Sequence, residues 1–353
     1  MSHAITSVDR STDETLSQAA VSAGYAPSIL NTQPWRWRLE PGRLELFAER
    51  ARQLRVTDPQ GRLLTISCGA ALHHARTALA AAGLSAHVVR LPDLVQPDLL
   101  ATLTVTNRIA VTEVATRLAQ AISLRHTDRR PVNDRPLPAA SVDAIAVAAR
   151  AEGALHICTP DQVLDLAAAV GRAAEVQADD PCVAAELAYW TGTAVPSGTG
   201  IPAGALPDHL AQTTVPGRDF GRTGTLPIGP GHDRAAVYAL LFGDADEPVS
   251  WLYSGEALSA AWLTATTLGV SVVPLSDVVE VLYTRQMLRR LIGGLGHPHL
   301  VLRLGFADPE LTGYVHTPRL PTTPAVEVSA ERPRRVLGPR GTARGDPGGR
   351  GRP

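Results

Sequence analysis

Apolar residues recur every three to four positions from Asp13 to Gly24, with Leu16, Ala19, Ala20 and Ala23 on one side, and this spacing predicts a helix. The period then changes. WRWRLE alternates strictly, Trp35, Trp37 and Leu39 against Arg36, Arg38 and Glu40. Pro41-Gly42 makes a turn and LELFAE returns, so residues 35–49 read as a β-hairpin. An Ala/Leu-rich helix is predicted over 69–82, closed by Gly83 where a left-handed residue commonly ends a helix. AHVVRL and LLATLTV follow as strands. Helices are predicted over 111–124 and 141–150, then a strand in ALHICT and a helix over 161–176. Residues 191–234 break every period with Gly, Pro and Thr, and a stretch of that length is usually a lid or a disordered excursion. Beyond it, AAVYALLF reads as a buried strand, SGEALSAAWLTATTLG as a helix and SVVPL as a short extended piece. VVEVLYTRQMLRRLIG reads as a further helix and HLVLRLG as the last strand.

The pattern repeats. GAALHHARTALAAAGLS at 69–85 aligns without gaps on GEALSAAWLTATTLGVS at 255–271, matching Gly69, Ala71, Leu72, Ala75, Gly83 and Ser85 to Gly255, Ala257, Leu258, Ala261, Gly269 and Ser271. The shared Gly-to-Gly spacing, followed by a strand in both places, predicts two copies of one α+β unit fused in a single chain.

Composition narrows the chemistry. The 353 residues carry a net charge of −1, which argues against electrostatic binding of nucleic acid. All 33 basic residues are arginine. Without lysine there is no Walker-A lysine, no Schiff-base lysine and no Ser-x-x-Lys dyad. Cys68, Cys158 and Cys182 are widely spaced and read as reduced, buried thiols of a cytoplasmic protein. The polar first twenty residues do not read as a secretion signal, and no apolar run reaches the ~18 residues that span a bilayer. After about Val326 the chain becomes ERPRRVLGPRGTARGDPGGRGRP, too polar to bury its own surface, and reads as a disordered tail.

Two strings carry candidate chemistry. Ala26-Pro-Ser-Ile-Leu-Asn-Thr-Gln-Pro-Trp35 offers Ser28, Asn31 and Gln33 between two prolines and a tryptophan. Such a loop can hydrogen-bond the edge of a planar heterocycle, and it can equally be turn chemistry between a helix and a strand. Arg125-His-Thr-Asp-Arg-Arg130 sets two arginines four apart at a helix end, a phosphate clamp or a solvated basic terminus. His73-His74 point about 100° apart on a helix and do not share a metal, and His297 and His299 lack a third ligand, so no metal site is assigned. GTGIPAG lacks the flanking strand and helix of a dinucleotide-binding turn. Trp190 and Arg218-Asp219-Phe220 either close over a ligand or anchor their loop.

Taken together, PSxxNTQPW, the RxTxRR string and the C-terminal AxxLGVSVVPL…HPHLVLRLGF resemble the FMN-dependent nitroreductase superfamily. The likeness is greatest to its fused, double-domain branch, the Acg-type nitroreductases of actinobacteria, and covers residues 13–325. It implies an α+β fold of two tandem units, each a mixed or antiparallel sheet flanked by helices, pressed together as an intramolecular pseudo-dimer. The units are expected over 1–110 and 111–325, with a lid insertion at about 181–234 and the tail at 326–353. Carried over, Arg125, His126, Thr127 and Arg129 hold the FMN phosphate and ribityl chain, with Arg319 as a second phosphate-binding cation. Pro27, Ser28, Asn31 and Gln33 meet the isoalloxazine from the other half, and Val273, Pro274, Leu275 and Ser276 lie along its N5 edge. The first half lacks the arginine string beyond VDRST near Arg10. The second half runs from AVAARAEG straight into ALHICT, where a second PSxxNTQPW would stand, so one FMN per chain is expected.

The implied activity is hydride transfer from NAD(P)H through the flavin to a small acceptor, a nitroaromatic, a quinone or an unassigned metabolite. No side-chain acid or base is assigned. Two alternatives stay open: an FMN-sequestering protein whose lid covers the flavin, and a specialised biosynthetic flavin oxidase. Expected partners are small molecules, with no nucleic acid and no membrane, for a monomeric pseudo-dimer or a homodimer.

Overall fold

The computed structural model of the chain describes residues 2–192, 195–229, 231–311, 316–320 and 326–328. Helix α1 (Ser2–Ala23) precedes the hairpin of β1 (Trp35–Glu40) and β2 (Arg43–Ala48); α2 (Arg62–Ala81) leads to β3 (Leu84–Arg90) and β4 (Leu99–Arg108). Helices α3 (Glu113–Leu124) and α4 (Ala139–Arg150) follow, then β5 (Ala154–Ile157), α5 (Pro160–Ala178) and α6 (Pro181–Thr191). The chain continues through β6 (Val237–Gly243), α7 (Pro248–Thr267), β7 (Ser271–Leu275), α8 (Asp277–Glu280), α9 (Leu282–Leu291), β8 (His297–Gly305) and β9 (Val326–Val328).

The strand orders prove the duplication. The first sheet runs β3-β4-β2-β1-β9 and the second β7-β8-β6-β5; apart from the parallel β1–β9 pair all pairings are antiparallel, and each of the first four strands has its counterpart four strands on. The helix inside each unit repeats as well. Both α2 and α7 are 20 residues long, and each is followed two residues later by a glycine at positive φ, Gly83 at 75° and Gly269 at 68°. They cross at the repeated glycines: a Cβ on Gly69 would stand 2.2 Å from the Leu252 carbonyl oxygen, and one on Gly255 2.0 Å from that of Ile66. No side chain fits, and the backbones touch. The two apolar cores interlock there, with Leu63 and Ile66 of α2 packing in the second core and Leu252 of α7 in the first.

Local chemistry explains the individual elements. Leu16, Ala19, Ala20 and Ala23 are buried along one side of α1, and Trp35, Trp37 and Leu39 alternate inward on β1. Asp13 accepts the Gly42 N–H at 2.8 Å and ties the hairpin turn to α1. The single helix expected over 278–293 is split at Val281, whose ψ of 125° is extended. The Thr284 hydroxyl donates to the Val278 and Val281 carbonyls at 2.6 and 3.0 Å, so a side chain replaces backbone donors at the break.

Three further expectations change. The helix expected from Gly69 begins at Arg62, its first turn held by the Asp58 carboxylate accepting the Leu64 N–H at 2.8 Å. Val326–Val328, placed in the expected tail, form β9, which pairs parallel with β1 and brings the end of the second half onto the sheet of the first; residues 329–353 lie outside the described residues. Of the three cysteines only Cys68 is buried, Cys158 being half-buried and Cys182 exposed. No helix among the described residues is long and apolar enough to cross a membrane.

Candidate functional site

A cleft with about 1400 Å³ of empty space, its open mouth included, lies between the two units. The first unit contributes Pro27, Ser28 and Asn31 from the loop before β1, and Ile66 and Ser67 from α2. The second contributes Arg125, His126, Thr127 and Arg129 beyond α3, Trp262 of α7, and Val273, Pro274, Leu275 and Ser276 at β7. Arg319 completes the wall from the C-terminal segment. Residues far apart in sequence thus converge as the two strings require.

Gln33 does not line the cleft. It is 2% exposed, and its amide donates to the Gly198 carbonyl at 2.6 Å while its Oε1 accepts the Leu320 N–H at 3.0 Å. Asn31 reaches the cleft, but its amide is engaged too: Nδ2 donates to the carbonyls of Gly200 at 3.0 Å and Pro318 at 2.9 Å. The loop is strained to make these contacts, with Leu30, Asn31 and Gln33 all at positive φ. It is held by the Ser67 hydroxyl accepting the Ile29 N–H at 3.1 Å and the Ser28 hydroxyl accepting that of Gln33 at 2.9 Å.

The electrostatics are asymmetric. Three arginines near the cleft are neutralised: Arg130 by Asp128, Arg218 by Glu280, and Arg303 by Asp233. Arg125, Arg129 and Arg319 form no ion pair among the described residues. Arg125 donates to the Tyr25 carbonyl at 2.9 Å, lies 4.6 Å from the Trp262 ring and leaves its Nε without a partner. Arg319 donates to Asn31 Oδ1 at 3.0 Å and Thr317 Oγ1 at 2.7 Å, and its Nε is likewise unpartnered. Arg129 donates to the Ala205 carbonyl at 3.0 Å and lies 5.5 Å from the Phe220 ring. Burial depresses all three below the ordinary arginine range, Arg129 and Arg319 to about 10, and Arg319 adds a like-charge penalty at Arg125. Buried guanidiniums without counter-ions are costly, and an anionic ligand that accepts their paired donors removes that cost. Chemically, the arrangement can accept an anion beside an apolar slot.

The segment expected as a lid forms part of the wall through Pro207, Leu210, Thr213, Arg218 and Phe220. It is fastened on two sides. Glu186 of α6 accepts the N–H groups of Arg55, Val56 and Thr57 at 2.6, 3.0 and 2.9 Å. Arg218 donates to both oxygens of Glu280 and, at 3.1 Å, to Ser276 Oγ, which itself donates to Glu280 at 2.9 Å. Trp190 packs in a small core with Leu30, Leu54 and Leu206 and anchors the segment, whereas Arg218 and Phe220 reach the cleft. Sequence reading missed Trp262 and Ser67 as wall residues. Their signal was present in the repeat, since both sit on the duplicated helices flanking the crossing glycines.

Three of the remaining candidates, His73, His74 and His299, are buried groups hydrogen-bonded to serines. His73 and His74 both place Nδ1 2.8 Å from Ser259 Oγ at the helix crossing, and His299 Nδ1 meets Ser254 Oγ at 2.7 Å. Burial lowers His73 and His299 to about 4. Among the described residues no group of three His, Cys, Asp or Glu side chains is arranged to hold a metal ion.

Fold and site define a duplicated α+β protein with a cleft between its halves, lined by arginines that have no counter-ion among the described residues. No model of a protein family matches the chain. Two proteins of Mycobacterium tuberculosis strain H37Rv with provisional NAD(P)H nitroreductase names resemble it along nearly its whole length. One, Rv3131, is 37% identical over 320 residues, covering 90% of each chain; the other, acg, is 34% identical over 324 residues, covering 91% of this chain and 97% of its own. The chain belongs to this Acg-type nitroreductase family. Among solved structures, the FMN-dependent nitroreductase NfnB of Mycobacterium smegmatis, in complex with NADPH, aligns at 13% identity and a TM-score of 0.39, covering 62% of this chain and all of its own. An FMN-bound nitroreductase of Bacteroides fragilis aligns at 14% identity and 0.36, covering 57% and 93%.

Proposed function

We propose that the chain is an FMN-dependent oxidoreductase that holds one FMN in the inter-unit cleft and passes hydride from NAD(P)H to a small acceptor, a nitroaromatic, a quinone or another metabolite. The observation that carries the reading is a set of three arginines without counter-ions among the described residues, Arg125 buried and Arg129 and Arg319 half-buried, at one cleft between the two units. A phosphate monoester is a dianion of the size and geometry that guanidinium forks bind. The names of the mycobacterial relatives support the redox assignment.

In this reading Arg125, Arg129 and Arg319 bind the phosphate, with His126 and Thr127 beside it. Pro27, Ser28 and Asn31 border the ring from the first unit. Val273, Pro274, Leu275 and Ser276 line its reacting edge through backbone groups, because the Ser276 hydroxyl is engaged by Arg218 and Glu280. Trp262 packs beneath the Arg125 guanidinium and keeps it aimed at the cleft. FMN, when bound, supplies the hydride chemistry at its ring N5, and the protein supplies orientation and exclusion of water. The units, divided near residue 110, act as an internal pseudo-dimer in a cytoplasmic protein.

The spectrum of the purified protein tests the assignment. Arg125→Ala with Arg129→Ala removes charge-assisted contacts of about 1.5–3 kcal/mol each and is expected to abolish most of the bound flavin. Unchanged flavin content in that variant contradicts the assignment. A sequestering role is favoured by one observation, the lid fastened through Glu186 and Arg218. Mixing the holoprotein with NADPH or NADH under argon separates the readings: rapid bleaching supports the reductase, and persistent colour supports sequestration.

A further inference from the structure

The repeat maps the cleft onto a second place in the molecule. The shift that carries Gly69 onto Gly255, 186 residues, gives each wall residue on the duplicated elements a counterpart. Ser67 maps to Tyr253, Trp262 to Arg76, and Ser276 to Arg90. Two of the counterparts, Arg76 and Arg90, meet at one carboxylate, and the third, Tyr253, packs against Arg90. Arg90 donates to both oxygens of Glu256, Nε at 2.7 Å and Nη2 at 2.9 Å, and its guanidinium lies 4.4 Å from the Tyr253 ring. Arg76 donates to the same Glu256 and, at 2.6 Å, to Glu152. Glu152 stands in the short connection between α4 and β5, where the first unit has its Pro27–Asn31 loop between α1 and β1.

The two places differ in what supplies the negative charge. At the cleft three guanidiniums have no counter-ion. At the mapped position two guanidiniums face two carboxylates, and Glu256 is fully buried among them. We infer that the chain has filled the second, symmetry-related cofactor site with its own ion network, Glu256 taking the place of a bound anion, and that this network fastens one unit to the other. Arg76 and Arg90 belong to the first unit and Glu152 and Glu256 to the second, so every pair crosses the boundary. The inference rests on the cofactor reading for the identity of the site and on the hydrogen bonds of Arg76 and Arg90 for the network.

Thermal melting and flavin counting of the full-length chain test it together. Glu256→Ala leaves Arg76 and Arg90 short of a counter-ion, and the unfolding midpoint is expected to fall by roughly 5 °C. Inorganic phosphate is expected to raise the midpoint of the variant by more than it raises that of the wild type, whose own cleft also accepts an anion. Arg90→Ala, which leaves Arg76 on Glu256, is the milder variant should Glu256→Ala not fold. Its effect and that of Glu256→Gln are expected to be non-additive in the double variant. A wild-type midpoint in Glu256→Ala, or additive effects in the pair, overturns the network. The wild-type chain is expected to saturate at one FMN, and a second equivalent bound overturns the filled site. A chain that takes up no FMN refutes the cofactor assignment, while the melting results still decide the network.

Discussion

Single residues in this molecule are tuned by burial more than by partners. Asp277, next to Ser276 at the cleft, is fully buried with Oδ1 unpartnered, and burial raises it to about 6; Asp58 is raised to about 6 in the same way. His73 and His299 are lowered to about 4 and His74 well below its ordinary value. The signs oppose. An imidazole depressed on folding contributes stability that is present above its unfolded value near 6.5 and is lost as pH falls toward 4. A carboxyl raised on folding does the reverse: its cost is full above 6 and relieved as pH falls to its unfolded value near 4. Wild-type acid sensitivity between pH 6.5 and 4 is therefore partly cancelled. Asp277→Asn is expected to raise the unfolding midpoint at pH 7, by as much as about 3 kcal/mol of stability, and to steepen the loss below pH 6. A pH series of melting curves checks both. Arg125 and Arg129 were legible at this scale because spacing revealed them. Gln33 shows the limit, since it has the same chemistry as Asn31 and only the position of Gly198 and Leu320 decides where it points.

Among the elements, α2 and α7 carry the architecture, and their approach depends on two missing side chains. Gly255→Ala puts a methyl 2.0 Å from the Ile66 carbonyl oxygen, which forces backbones apart rather than a flexible side chain aside. The expected cost is about 2–4 kcal/mol, read as a lower denaturant midpoint at unchanged slope. Gly171, with nothing within 4 Å, is the control, and Gly171→Ala is expected to be neutral or slightly stabilising. The hairpin was legible because β1 buries one face and keeps one period, whereas the repeated helices, buried on nearly all sides, were legible from their Ala/Leu-rich length and closing glycines. The break at Val281 was not, because a threonine hydroxyl makes it. The expected lid was legible only as irregular. Its fastening through Glu186 depends on backbone N–H groups at 55–57, which no side-chain pattern reveals.

At the scale of the whole molecule, one chain builds what two subunits would otherwise share. Strand β9 closes the arrangement by laying the end of the second half on β1 of the first. A chain ending at residue 325 lacks that strand and exposes the β1 edge, and unpaired edges recruit other strands. Size-exclusion chromatography of that truncation is expected to show self-association absent from the full-length chain. The duplication was legible from six matched residues, while the cleft between the copies needed the two sheets to be placed. The flavin-to-chain ratio of purified protein, taken beside that of the Arg125→Ala/Arg129→Ala variant, tests the central claim most directly. The account predicts one flavin per wild-type chain and close to none in the variant. A colourless chain that refuses added FMN, or a variant as yellow as the parent, contradicts it.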